Sequence, residues 1–206
     1  MKEKIVVLIG GAPTVGKSTV ARLLSEHLRI PWISSDQIRE VMKATVDEKN
    51  FPALFDTKDY TAERFLTEFS SSEIVKMEIN EGEAVWPGVQ AFIEESYPWN
   101  SFIVEGVAIL PHLVARDFSN RSWAQPVFLV DEDADRIRNV VFNRGLWDDA
   151  KTYSDDVKEK EVQWAMLFSH MIRVEAEKYH FPWIEMKKND KEDLRSILNQ
   201  LGLSQN

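Results

Sequence analysis

Five short stretches of the chain are apolar without alternation: Lys4–Ile9, Pro31–Ser34, Ser101–Glu105, Pro126–Asp131 and Phe181–Met186. Runs of this kind predict strands covered on both faces. Between them, apolar residues recur at helical spacing. Lys17–Leu28 sets Val20, Ala21, Leu23, Leu24 and Leu28 largely on one side, and Asp36–Lys43 is a short amphipathic segment. Thr61–Tyr97 is long and predicts two helices broken near Pro87-Gly88. Pro111–Phe118, Glu132–Arg144, Asp155–Tyr179 and Asp190–Leu201 complete the helices. Alternating strand and helix predicts an α/β fold, a parallel sheet with helices on both faces. No linker or internal repeat divides the chain, so residues 1–206 read as a single domain. The stretch at about 44–100 is longer than a plain crossover and predicts a helical cap beside the sheet.

Charge and composition narrow the chemistry. Lys and Arg number 25 against 34 Asp and Glu, a formal charge of −9. That balance argues against a nucleic-acid partner, which needs a basic surface, but leaves room for a small anion in a locally positive pocket. Cysteine is absent, which excludes disulfide scaffolds, zinc ribbons and thiol nucleophiles. The four histidines show no HExxH pairing. No apolar run approaches the roughly 20 residues of a membrane span, and Ile5–Ile9 is too short for a signal sequence. The expectation is a cytoplasmic protein without a membrane partner.

The strongest motif is Gly11-Ala12-Pro13-Thr14-Val15-Gly16-Lys17-Ser18, a match to G-x-x-x-x-G-K-[ST], with Thr19 following. It leaves an apolar strand and opens an amphipathic helix, as phosphate binding requires. Glycines let the backbone approach oxygen closely, successive N–H groups form an anion nest, and the helix N-terminus adds positive charge. Gly11 through Thr19 are therefore the expected nucleotide contacts. Lys17 reaches the β- and γ-phosphates, and the Ser18 hydroxyl holds Mg²⁺. These assignments make ATP and Mg²⁺ the expected cofactors, in a P-loop fold with a five-stranded parallel sheet ordered 2-3-1-4-5. No [NT]KxD guanine motif is present; Thr57-Lys58-Asp59-Tyr60 lacks the last Asp.

Other polar residues fall at strand ends, where a doubly wound sheet binds ligands. Asp36 follows the second strand; it orients or deprotonates an acceptor hydroxyl, holds water on Mg²⁺, or caps the helix it opens, with Ser35 a competing cap. Arg39, one turn on, either grips an anionic acceptor or pairs with Asp36 at the surface. Glu105 ends the third strand as the candidate metal-side carboxylate, or a structural one, and Gly106 permits close approach of substrate. Asp131 is the second choice for the metal. Arg144 ends the helix Glu132–Arg144 beside Gly145 and a polar run, a lid candidate over 144–156, and either neutralises charge developing on the transferred phosphoryl group or is ordinary C-terminal helix charge; Arg136 is a weaker catalytic or nucleotide contact. Trp147 falls in that lid. The acidic run Asp155–Glu161 reads as a solvated helix start, and the stripe Trp164, Leu167, Phe168, Met171, Ile172 as core.

Together the phosphate loop, Ile33-Ser34-Ser35-Asp36-Gln37-Ile38-Arg39-Glu40-Val41-Met42 and Phe102-Ile103-Val104-Glu105-Gly106-Val107 resemble the 2-phosphoglycerate kinase-like P-loop kinases. The later string Phe128–Arg136 with Arg144 is similar too. Ala108 and Asp135 stand where the family pattern has histidine, and His112 lies four residues beyond Ala108. The resemblance implies ATP-dependent phosphoryl transfer to the hydroxyl of a small acidic metabolite such as 2-phosphoglycerate. It places Asp36 and Arg39 on the acceptor side and Glu105 at the centre. The alternatives are a nucleoside or nucleotide kinase, a toxin-type kinase acting on a nucleotide sugar, and a nucleotide-binding regulatory protein without an acceptor. The assembly is expected to be a monomer or homodimer.

Overall fold

The computed structural model describes residues 4–95, 99–144, 153–187 and 190–203. Five parallel strands form one sheet: β1 (Val6–Gly11), β2 (Trp32–Ser34), β3 (Phe102–Glu105), β4 (Ala124–Val130) and β5 (Trp183–Glu185), in the order β2-β3-β1-β4-β5. This is the order the sequence predicts. Eight α-helices surround it among the described residues: α1 (Lys17–Leu28), α2 (Ser35–Thr45), α3 (Ala62–Glu68), α4 (Ser71–Glu94), α5 (Pro111–Phe118), α6 (Ala134–Arg144), α7 (Asp155–Lys178) and α8 (Asp190–Gln200).

The period-2 geometry of a strand splits β1 between two cores. Val6 and Leu8 face the side packed by α4, α5 and α7, while Val7 and Ile9 face α1 and α8. All four are fully buried, which explains why β1 reads as a continuous apolar run. The register then fixes the site. Ile9 pairs with Glu105, and Glu105 pairs with Ser34, so the carboxyl ends of β1, β2 and β3 lie level. Whatever follows these three strands must share one edge.

Helices α3 and α4 fall in the stretch at about 44–100, but the break between them lies elsewhere than near Pro87-Gly88. Helix α4 runs unbroken from Ser71 to Glu94 through Pro87. The interruption comes at Phe69-Ser70, between α3 and α4. There Ser70 Oγ accepts from Glu73 N at 3.3 Å and the Glu73 carboxylate accepts from Ser70 N at 2.8 Å. This reciprocal capping box starts a helix more decisively than one proline stops it, and the proline's cost is offset by a buried face of Ile74, Val85, Trp86, Val89 and Ile93. Gly88 is explained by packing: a Cβ there would lie 2.5 Å from Met42 Sδ, so its absence lets α2 and α4 approach.

Candidate active site

The phosphate loop joins β1 to α1 with a fixed backbone shape. Gly11 has φ 149°, and a Cβ there would lie 2.5 Å from the Leu129 carbonyl oxygen. Gly16 caps α1 at φ 100°, where a Cβ would meet nothing within 4 Å. Glycine at 11 is thus demanded by space and conformation, and at 16 by conformation alone. The space beside Gly16 is the concavity that phosphate oxygens need. Pro13, Thr14, Gly16, Lys17, Ser18 and Thr19 line a cleft of about 590 Å³. Gly11, Ala12 and Val15 are buried behind it and shape the loop from within. Lys17 Nζ donates to the Ala12 carbonyl at 2.8 Å. Burial pulls the Lys17 ammonium below its usual range, against the opposing pull of Glu105, Asp36 and Glu78.

Ser18 Oγ donates to Glu105 Oε1 at 3.1 Å. Glu105 is 2% exposed, and burial raises its pKa although Lys17 and Ser18 oppose the shift. A buried carboxylate and a hydroxyl within one hydrogen bond, beside the nest, fit a magnesium ion, which takes few protein oxygens and completes its shell with phosphate and water. Asp131 takes no part in this. Arg136 donates to both its oxygens, its own N–H donates to Ser169 Oγ at 2.7 Å, and Asp133 N donates to it at 3.0 Å. It ties β4 to α6 and α7, and neither it nor Arg136 lines the cleft.

On the acceptor side, the cap of α2 is neither Asp36 nor Ser35. Ser34 is the N-cap; its hydroxyl accepts from Asp36 N at 3.2 Å, and Gln37 closes the box. Capping therefore leaves the Asp36 carboxylate unused, and it lines the cleft. Ser35 is buried against Gly106, where a Cβ would lie 1.8 Å from Ser35 Oγ. The close approach at Gly106 is thus made by the chain's own serine, and Gly106 does not line the cleft. Arg39 lines the cleft, lies 3.7 Å from Asp36 and donates to Glu81 Oε2 at 3.1 Å.

Several cleft residues escape the sequence pattern. Glu78 and Glu81 project from one face of α4, and Lys43 lies one turn beyond Arg39 on α2. Burial pushes the Glu78 carboxyl up to about 8, with Glu81 adding to the shift and Arg39 opposing it. The i, i+3 spacing of Glu78 and Glu81 opposite Arg39 and Lys43 is the signal that helical charge pattern offered. Arg144, the last residue of α6, donates to Glu161 on α7. Glu161 is buried and lines the cleft, as does Trp164. The rest of the lid candidate, residues 145–152 with Gly145 and Trp147, lies outside the described residues. His112 pairs with Glu175 at 3.0 Å and does not line the cleft.

No family model matches the chain. It is similar to proteins named 2-phosphoglycerate kinase: 35% identical over 153 residues to one from Methanothermobacter thermautotrophicus, covering 71% of this chain and 50% of that protein. Against relatives from Methanocaldococcus jannaschii and Methanopyrus kandleri the identities are 34% and 35%, over 59% and 58% of this chain and 40% and 37% of theirs. The chain thus spans half or less of the length of these curated relatives. Its fold is shared with a shikimate kinase from Bacteroides thetaiotaomicron, at TM-score 0.56, 15% identity and coverage of 97% and 99% of the two chains. It is shared also with a gluconokinase from Sinorhizobium meliloti 1021, at TM-score 0.55, 15% identity and coverage of 98% and 94%. These likenesses show that the chain shares its fold with these two kinase structures. Among the described residues no helix is long and apolar enough to cross a membrane.

Proposed function

We infer that the chain is a phosphotransferase that moves the γ-phosphoryl group of ATP to a hydroxyl of a small acidic metabolite. The observation that carries this is the convergence of Lys17, Ser18, Glu105, Asp36, Arg39 and Arg144 on one cleft at the carboxyl edge of the sheet. The relatives named 2-phosphoglycerate kinase support the same reaction class.

Each residue has a role that its position supports. The loop amides and Lys17 hold the triphosphate and neutralise charge on the β- and γ-oxygens. Ser18 and Glu105 would hold magnesium, which supplies further neutralisation when bound. Arg39 and Lys43 attract the acid group of the acceptor. The half-buried Glu78, its carboxyl pushed up to about 8, favours its neutral form near pH 7 and so adds less charge to repel such an acceptor. Asp36 accepts the hydroxyl proton as the acceptor oxygen bonds to the γ-phosphorus and the bond to the bridging oxygen breaks, releasing ADP. Arg144 faces the charge that develops on the transferred group. Catalysis on this plan comes from positioning and electrostatics.

The test is ADP release from magnesium-ATP on addition of hydroxy acids, 2-phosphoglycerate first. Lys17→Ala is expected to abolish the stimulated rate while circular dichroism stays native. Stimulation that survives this change would sink the assignment.

A further inference from the structure

Two buried polar atoms on α7 have no hydrogen-bond partner among the described residues: Glu161 Oε2 and Trp164 Nε1. Their residues are 1% and 3% exposed, and both line the cleft. They stand three positions apart, so one face of α7 carries both. The insert contributes Thr57, Tyr60 and Phe65 to the same cleft, and α7 packs against α3 and α4. The two atoms therefore sit where the insert meets α7, with Glu161 beside Arg144.

Buried donors and acceptors are nearly always paired, so two left over in one cleft call for a ligand group that satisfies both. Their chemistry is restrictive. The indole N–H can only donate. Glu161 Oε1 is taken by Arg144, which leaves Oε2 as an acceptor. A hydroxyl gives to the carboxylate and takes from the indole through a single oxygen. A carboxylate or phosphate ester offers no hydrogen and would set negative charge against Glu161.

We propose that Glu161 and Trp164 form a subsite for a second hydroxyl of the acceptor, distinct from the one that reacts, so that the acceptor is a polyhydroxy acid. The inference rests on the kinase reading of the cleft and sharpens it. Burial pushes the Glu161 carboxyl up to about 7, so a protonated form is also populated near neutrality. A hydroxyl suits that form equally, since its oxygen then accepts from both side chains. 2-Phosphoglycerate has one free hydroxyl, the one that would react, and is therefore a poorer fit than its dephosphorylated or longer analogues.

The experiment measures ADP release by the full chain with magnesium-ATP and four probes: glycerate, gluconate, 2-phosphoglycerate and 3-hydroxypropionate, which is glycerate without its 2-hydroxyl. The wild-type protein is expected to show a kcat/KM for glycerate or gluconate about tenfold or more above that for 3-hydroxypropionate and for 2-phosphoglycerate. Trp164→Phe, which removes only the N–H and keeps an aromatic ring, is expected to raise KM for the polyhydroxy acids roughly five- to tenfold, with a smaller change in kcat, and to narrow the preference over 3-hydroxypropionate. The proposal is overturned if 2-phosphoglycerate or 3-hydroxypropionate is used as well as glycerate and gluconate, a result that leaves the kinase reading standing. It is overturned likewise if Trp164→Phe moves no KM. If no probe stimulates ADP release, the kinase reading fails and the subsite falls with it. Should Trp164→Phe not fold, the wild-type comparison of matched acids decides alone.

Discussion

Arg144, at the end of α6, donates to Glu161 on α7, and the two differ sharply in burial: the arginine side chain is 45% exposed and the carboxylate 1%. The pair joins the two helices on either side of residues 145–152. Removing the arginine has two separable consequences. On the proposed mechanism a charge facing the transferred phosphoryl group is lost, and a buried carboxylate loses its counter-ion. Arg144→Ala is expected to lower kcat by about 100-fold or more and to lower Tm. In the double variant Arg144→Ala, Glu161→Gln the buried charge is gone, so Tm should recover while kcat does not. Recovery of both would mean that Arg144 acts only by holding Glu161.

Ser18 and Glu105 make a second separable claim. Their 3.1 Å hydrogen bond places a carboxylate beside the hydroxyl expected to hold magnesium. Glu105→Gln keeps the shape and removes the charge. The magnesium concentration giving half-maximal rate is expected to rise about tenfold or more, with ATP affinity in the absence of metal little changed. A magnesium titration of ADP release decides it. An unaltered midpoint would assign Glu105 to tying β3 to the loop.

Part of this cleft was readable from sequence and part was not, for definable reasons. The loop from Gly11 to Ser18 is contiguous, so its motif carries its own geometry. The strands show as apolar runs that a doubly covered strand must have, and their order comes with the P-loop fold that the motif implies. Glu78, Glu81 and Glu161 are different: each belongs to a helix whose charge pattern also fits a solvated face. Only the packing of α4 and α7 against the sheet edge decides that they turn inward. Trp164 falls in a helical apolar stripe and is indeed buried at 3%, so its unpaired N–H is invisible to periodicity. The uninterrupted course of α4 through Pro87 has the same origin, since tertiary burial outweighs a local breaker.

Glu78 supplies a pH signature. Its carboxyl is raised from an ordinary 4.5 to about 8, by burial first and by Glu81 next, with Asp36 adding and Arg39 and Lys17 opposing. A carboxyl raised by folding binds a proton more tightly in the native state than in the unfolded chain. Its contribution to stability is therefore complete below about 4.5 and is lost as pH rises through about 8. Glu78→Gln mimics the protonated form. The variant is expected to melt close to the wild type at pH 5 and above it at pH 9, the gap widening through the interval. Glu161, raised to about 7, acts in the same direction, so the variant curve retains a smaller slope. Parallel melting curves would place Glu78 in contact with solvent.

Asp36 and Ser34 permit the clearest separation of catalysis from folding, because Ser34 caps α2 and leaves the Asp36 carboxylate lining the cleft. Ser34 Oγ accepts from Asp36 N at 3.2 Å and Gln37 completes the capping box, so the start of α2 is satisfied without the Asp36 side chain. Ser34→Ala removes the cap and is expected to cost about 1 kcal/mol of stability. The Ser34 side chain also hydrogen-bonds to Glu105, so any further loss of turnover is expected to appear as a raised magnesium requirement. Asp36→Asn keeps the size of the side chain and removes its capacity to accept a proton. The expected result is a loss of about 100-fold or more in acceptor-stimulated kcat, an ATP affinity within about twofold of wild type, and an unchanged Tm. The salt bridge to Arg39 does not confuse the outcome, since that arginine keeps Glu81 at 3.1 Å when Asp36 is neutralised. If both variants lost stability and activity in proportion, Asp36 would belong to the helix and the proton would need another acceptor.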